Sequence, residues 1–110
     1  MTNNSCIFCK VIQGQIPTTF IKETKDLIVI KDIYPQAETH LLIIPKEHVQ
    51  DIISLNNDAL QSSIVAMVRE LASTLANPKA FRLVINTGPG YQHVPHLHVH
   101  FLSDGVTNPV

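Results

Sequence analysis

The chain carries little charge. Asp, Glu, Lys and Arg make up 15% of its 110 residues and apolar side chains 45%, a balance that excludes a disordered segment and favours a packed globule. No run of Lys or Arg appears and the formal net charge is -1, which excludes a broad nucleic-acid or membrane footprint but leaves room for a small anionic ligand. No stretch approaches the roughly 20 apolar residues of a membrane span. Residues 1–5 are polar where a signal peptide would begin its apolar region, so a cytoplasmic setting is expected. Cysteine is scarce as well. Cys6 and Cys9 are the only two, and in a reducing compartment they point to a metal or redox role rather than a structural disulfide. A length of 110 residues suits one domain over 1–110, with a core marginal enough that a partner subunit would help it.

Local patterns then sketch the elements. An apolar stretch over 6–13, closed by Gly14 and followed by Pro17, predicts a short helix with a glycine stop. Two β-branched runs, 18–23 and 27–31, flank Thr24, Lys25 and Asp26 and predict an antiparallel hairpin. Residues 32–38 contain Pro35 and are expected to form a loop. Residues 39–44 are nearly all apolar, as in a strand buried on both faces. Over 57–76, Leu60, Ile64, Met67, Val68, Leu71 and Leu75 recur at three and four, the spacing of one helix face, ending near Asn77 and Pro78. Two more strands are expected over 81–86 and 96–102. The fold class that follows is α+β: an antiparallel sheet of about five strands with one long and one short helix.

Four of the six histidines lie between His93 and His100, and three of them, His96, His98 and His100, alternate with Leu97, Val99 and Phe101. In a strand this alternation sets three imidazoles on one face and three apolar groups on the other. A single such histidine is most simply a surface or hydrogen-bonded core residue. Three in register need a compensating ligand, because crowding titratable rings costs solvation and mutual repulsion once they charge. A metal ion held by all three would satisfy them. So would a phosphate, with one ring as nucleophile and its neighbours donating protons. The loop Thr87-Gly88-Pro89-Gly90 favours phosphate, since glycines let backbone N–H groups approach an anion, although most such stretches are plain turns.

The run His96-Leu97-His98-Val99-His100-Phe101-Leu102 resembles the signature of the histidine-triad family. The resemblance extends through Cys6-Ile7-Phe8-Cys9-Lys10-Val11-Ile12, Gly14-Gln15-Ile16-Pro17, Asp32-Ile33-Tyr34-Pro35-Gln36-Ala37, Thr39-His40 and Ile44-Pro45-Lys46-Glu47-His48, in the order of the Hint branch. It implies that His98 is a nucleophile forming a covalent nucleotidyl-imidazole intermediate, with a backbone carbonyl in the same strip fixing its tautomer. It places His100 and His96 beside the phosphate, Gln92 and His93 at the phosphate or leaving group, and Asn86 on the phosphate side. Asp32 and Ile33 fall on the nucleoside side, the former accepting from ribose hydroxyls. His40 is placed beside the triad, supporting His98. The implied reaction is hydrolysis or transfer at the α-phosphorus of a nucleoside phosphoramidate, acyl-adenylate or dinucleoside polyphosphate, with a purine nucleotide as product. The implied assembly is a homodimer with a continuous sheet.

Cys6 and Cys9 are three apart at a helix start, which suits one ion as well as it suits two small core side chains. The resemblance points to a zinc-bound subclass whose ligands match Cys6, Cys9, His48 and His96. His96 would then anchor the strand carrying His98, and the zinc, with four protein ligands, would be structural. The chain departs from the usual pattern at His93, where a small hydroxyl residue is common, at Pro95, where an aromatic is common, and in having no tryptophan. Two other readings stay open: a metal-dependent hydrolase using His96, His98 and His100 as ligands, and a non-catalytic nucleotide-binding module.

Overall fold

A computed structural model describes residues 5–105; both ends of the expected 1–110 domain lie outside the described residues. In chain order the elements are α1 (Ile7–Ile12), β1 (Lys22–Glu23), β2 (Leu27–Lys31), β3 (Thr39–Pro45), α2 (Asp58–Ala72), β4 (Arg82–Val84) and β5 (Val99–Ser103). The five strands form one antiparallel sheet in the order β1, β2, β3, β5, β4.

The central strands are almost continuously apolar because both faces are covered. Leu27, Val29, Ile43, Val99 and Phe101 pack with Leu60, Ile64, Met67, Val68 and Leu71 of α2. On the opposite face Ile28, Ile30, Leu42 and Ile44 pack with Phe8, Cys9 and Val11 of α1. Strand alternation sends successive side chains into these two cores. Burying one such aliphatic side chain fully is worth about 1.5–3 kcal/mol.

Capping sets the helix ends. The Cys6 sulfur accepts the Cys9 N–H at the start of α1, and Gly14, at φ 78°, turns the chain away after it. Asn57 caps α2 by accepting the Leu60 N–H at 3.0 Å. The helix stops at Ala72, short of the expected 76. The Ser73 and Thr74 hydroxyls donate to the carbonyls of Glu70 and Leu71, both at 2.6 Å, and so take up groups that a further turn would use.

Three strands are shorter than the sequence predicts. Of the run 18–23 only Lys22 and Glu23 enter the ladder. Of 81–86 only 82–84 pair. β5 begins at Val99, three residues late, because the Leu97 N–H donates to Val49 O at 2.7 Å and leaves the sheet. His96 and His98 therefore sit on the lead-in to the strand, with His96 in a bend.

Candidate active site and metal centre

The alternation survives that shift. Leu97, Val99 and Phe101 enter the α2 core. The histidine rings lie on the α1 side, where Phe8 stands edge-on to His98, with centroids 5.0 Å apart, and to His96 at 5.9 Å.

Each ring has a distinct partner. His98 Nδ1 lies 2.8 Å from His96 O. A carbonyl only accepts, so Nδ1 carries the proton and Nε2 keeps a free lone pair. Burial pushes the His98 pKa down, against the raising effects of that hydrogen bond and of Asp32. The ring is neutral at pH 7, as a nucleophile must be.

His100 is set by a chain of hydrogen bonds from the loop 32–38. The Gln36 N–H donates to His40 Nδ1 at 3.0 Å, so His40 carries its proton on Nε2. That N–H points at His100 Nδ1, 2.9 Å away, with ring centroids 5.2 Å apart, the proportions of a head-on contact. His100 therefore bears its proton on Nε2. Asp32 Oδ2 lies 3.3 Å from His40 Nε2 and 3.8 Å from His100 Nδ1, while Oδ1 accepts the Tyr34 N–H. Burial, with the neighbouring His98 and His40, lowers the His100 pKa to about 4. It is a neutral hydrogen-bond donor at pH 7. His40 thus lies beside the triad, as expected, and its direct contact is with His100, whose ring in turn lies 5.1 Å from that of His98.

His96 faces elsewhere. Its Nε2–H donates to Pro45 O at 2.7 Å. Its Nδ1 lies 3.3 Å from Cys6 Sγ and 3.6 Å from Cys9 Sγ, and His48 Nδ1 lies 3.3 Å from Cys9 Sγ. All four ligand atoms fall within 4.8 Å of one another, close enough to bind a metal. Tetrahedral zinc, with Zn–S near 2.3 Å and Zn–N near 2.0–2.1 Å, separates sulfur from nitrogen by about 3.5 Å. The donor set fits. Burial above all lowers the His96 pKa to about 4, which keeps Nδ1 deprotonated. A single ion held by His96, His98 and His100 does not fit, because both His96 nitrogens are engaged elsewhere, Nε2 with Pro45 O and Nδ1 with the thiols.

The remaining candidates rim this cluster. Ile33, beside Asp32, is 83% exposed. Gln92 is half-buried; its amide donates to Gln50 O, beyond β3, at 2.7 Å and accepts weakly from the Gly88 N–H of its own loop. His93 is exposed, and its charge is felt at His98. Asn86 is half-buried just beyond β4. Gly88 and Gly90, at φ 83° and 84°, give the loop its turns. Three participants escaped the sequence reading: Phe8, the Gln36 backbone and the Pro45 carbonyl. Only the β-strand register of 39–45 against 99–103 could have hinted that His40 meets His100.

A family model described as the scavenger mRNA decapping enzyme C-terminal binding region matches residues 5–110. Protein HitA of Neisseria gonorrhoeae is 35% identical over 106 residues, covering 94% of this chain and 99% of HitA. Adenosine 5'-monophosphoramidase hnt1 of Schizosaccharomyces pombe is 32% identical over 99 residues, covering 89% of this chain and 73% of hnt1. A HIT family hydrolase structure from Clostridium thermocellum superposes with a TM-score of 0.90 at 37% identity, covering 99% of this chain and 98% of that one. This chain belongs to the histidine-triad (HIT) family.

Proposed function

We propose that the chain is a nucleotide hydrolase or transferase acting at the α-phosphorus of a purine nucleoside phosphoramidate, acyl-adenylate or dinucleoside polyphosphate. The observation that carries this reading is the hydrogen bond from His98 Nδ1 to His96 O, which leaves Nε2 of a neutral ring free to attack. The names of the fission-yeast phosphoramidase and the clostridial hydrolase support it.

In the first step the His98 Nε2 lone pair forms a bond to phosphorus as the bond to the leaving group breaks. The His100 Nε2–H donates to a phosphoryl oxygen and stabilises the charge gathering there. With its pKa near 4, His100 is too seldom charged at pH 7 to supply the leaving-group proton. The exposed imidazole of His93 is assigned that transfer. In the second step water attacks phosphorus, the P–Nε2 bond breaks, and the water proton returns to His93. Asp32, through its remaining lone pairs, takes the ribose hydroxyls, Ile33 covers the base, and Asn86 and Gln92 face the phosphate.

Cys6, Cys9, His48 and His96 would hold zinc, which when bound clamps α1 to the segment carrying His98. With four protein ligands there is no open position for substrate, so the ion is structural. The free thiols suit the cytoplasm. The assembly proposed is a homodimer through the open edge of β4, where Leu83 and Ile85 are exposed.

The test is rapid quenching with adenosine phosphoramidate followed by peptide mass spectrometry. An adenylyl group on His98 is expected. Steady turnover with no such adduct at any quench time would remove the covalent step. A non-catalytic nucleotide-binding module would show neither turnover nor adduct.

A further inference from the structure

The motif between the two thiols carries a residue that neither the metal centre nor the proposed chemistry absorbs. Phe8 lies between Cys6 and Cys9 on α1 and is buried. Its ring meets the nucleophile candidate edge-on, with centroids 5.0 Å apart and planes at 70°, and meets His96 at 5.9 Å and 88°. The His98 ring is therefore held at two places. Nδ1 is tied to His96 O, and Phe8 limits rotation about that tie. α1 itself is pinned at its first turn, where Cys6 and Cys9 face His96 and His48.

We propose that Phe8 is a positioning residue: seated by the Cys6–Cys9 turn, its ring fixes the plane of the His98 imidazole and so the direction in which Nε2 meets phosphorus. This rests on the reading of His98 as nucleophile. An in-line attack is sensitive to small misplacements, so loss of the ring should appear in kcat. Edge-to-face packing depends on a planar partner, so an aliphatic side chain of similar size does not replace it.

The experiment compares Phe8→Leu and Phe8→Tyr in the full, metal-loaded chain, with adenosine phosphoramidate as substrate and imidazole 15N spectra of His98 as the second readout. In Phe8→Leu, kcat is expected to fall about tenfold or more with KM unchanged, and the His98 nitrogens to move from one fixed tautomer to an averaged pattern. Phe8→Tyr restores both. A rise in KM alone would make Phe8 a substrate contact and overturn the proposal. So would unchanged kcat and His98 spectra, or a loss of kcat that Phe8→Tyr does not restore. Should Phe8→Leu not fold, Phe8→Met is read in the same way. The spectra do not depend on turnover. An active His98→Ala variant would thus sink the nucleophile reading while leaving the positioning test standing.

Discussion

His98 donates its Nδ1 proton to the backbone carbonyl of His96 at 2.8 Å, while the His96 side chain turns away toward Cys6 and Cys9. One triad residue thus holds the next through its main chain and joins the candidate metal site through its ring. In the proposed mechanism the three positions are unequal: His98 attacks, His100 donates a hydrogen bond, and His96 anchors. Replacing His98 with Ala is expected to lower kcat by about 10³-fold or more, as loss of an enzymic nucleophile does. Nucleotide affinity, measured by calorimetry with AMP, should change little. A variant retaining parental kcat would leave attack to another group.

The hydrogen-bond chain from Gln36 through His40 to His100 carries a separate expectation. Without the His40 N–H, His100 Nδ1 has no fixed donor and its proton divides between two tautomers. His40→Ala should then lower kcat by about 10- to 100-fold, a fraction of the loss from removing His98. KM should hold, because His40 is buried. A change confined to KM would place His40 at the substrate instead.

The secondary structure was legible where it depends on local pattern. The β-branched runs marked β2 and β3, and the three-and-four spacing marked α2. The differences arose where a distant group or a local hydroxyl captures a backbone group. Val49 captures the Leu97 N–H and delays β5, and two hydroxyls end α2 early. The metal set was found only through resemblance, since His48 lies 39 residues from Cys9 and His96 lies 90 from Cys6. The contact of His40 with His100 depends on the pairing of β3 with β5, in which His40 lies opposite Leu102 and Leu42 opposite His100. Spacing along the chain carries no trace of that register.

Acid should destabilise the fold. His100 falls from the ordinary histidine value of 6.5 to about 4, chiefly through burial. Between those limits the unfolded chain binds more protons than the folded one, so stability drops as pH falls from about 6.5 and levels off below about 4. The slope is at most about 1.4 kcal/mol per pH unit per histidine. Urea midpoints measured from pH 7 to 4.5 should decline, and decline less in His100→Asn. A flat profile would mean that the folded rings charge as easily as free ones.

Metal removal separates structure from chemistry. Plasma emission should find about one zinc per chain, and Cys9→Ser should lose it together with several degrees of Tm. Mild chelation that leaves the fold intact should leave most turnover, because all four positions around the ion are occupied by protein. Abrupt loss of activity before any change in circular dichroism would restore a catalytic role for the metal.

β4 pairs with β5 on one side and, among the described residues, has an open edge on the other. Phe81, Leu83 and Ile85 alternate along this segment, and all three are exposed, as is Val65 of α2. An unpaired edge with apolar side chains invites strand addition. In the proposed homodimer a second copy meets it with the same edge around a two-fold axis, joining two antiparallel sheets into one. Leu83→Lys places a charge in that interface while leaving β4 paired to β5. Sedimentation should show the parent as two chains and the variant as one, with the histidine site intact in each. A parent chain sedimenting as a monomer at micromolar concentration would rule out the continuous sheet.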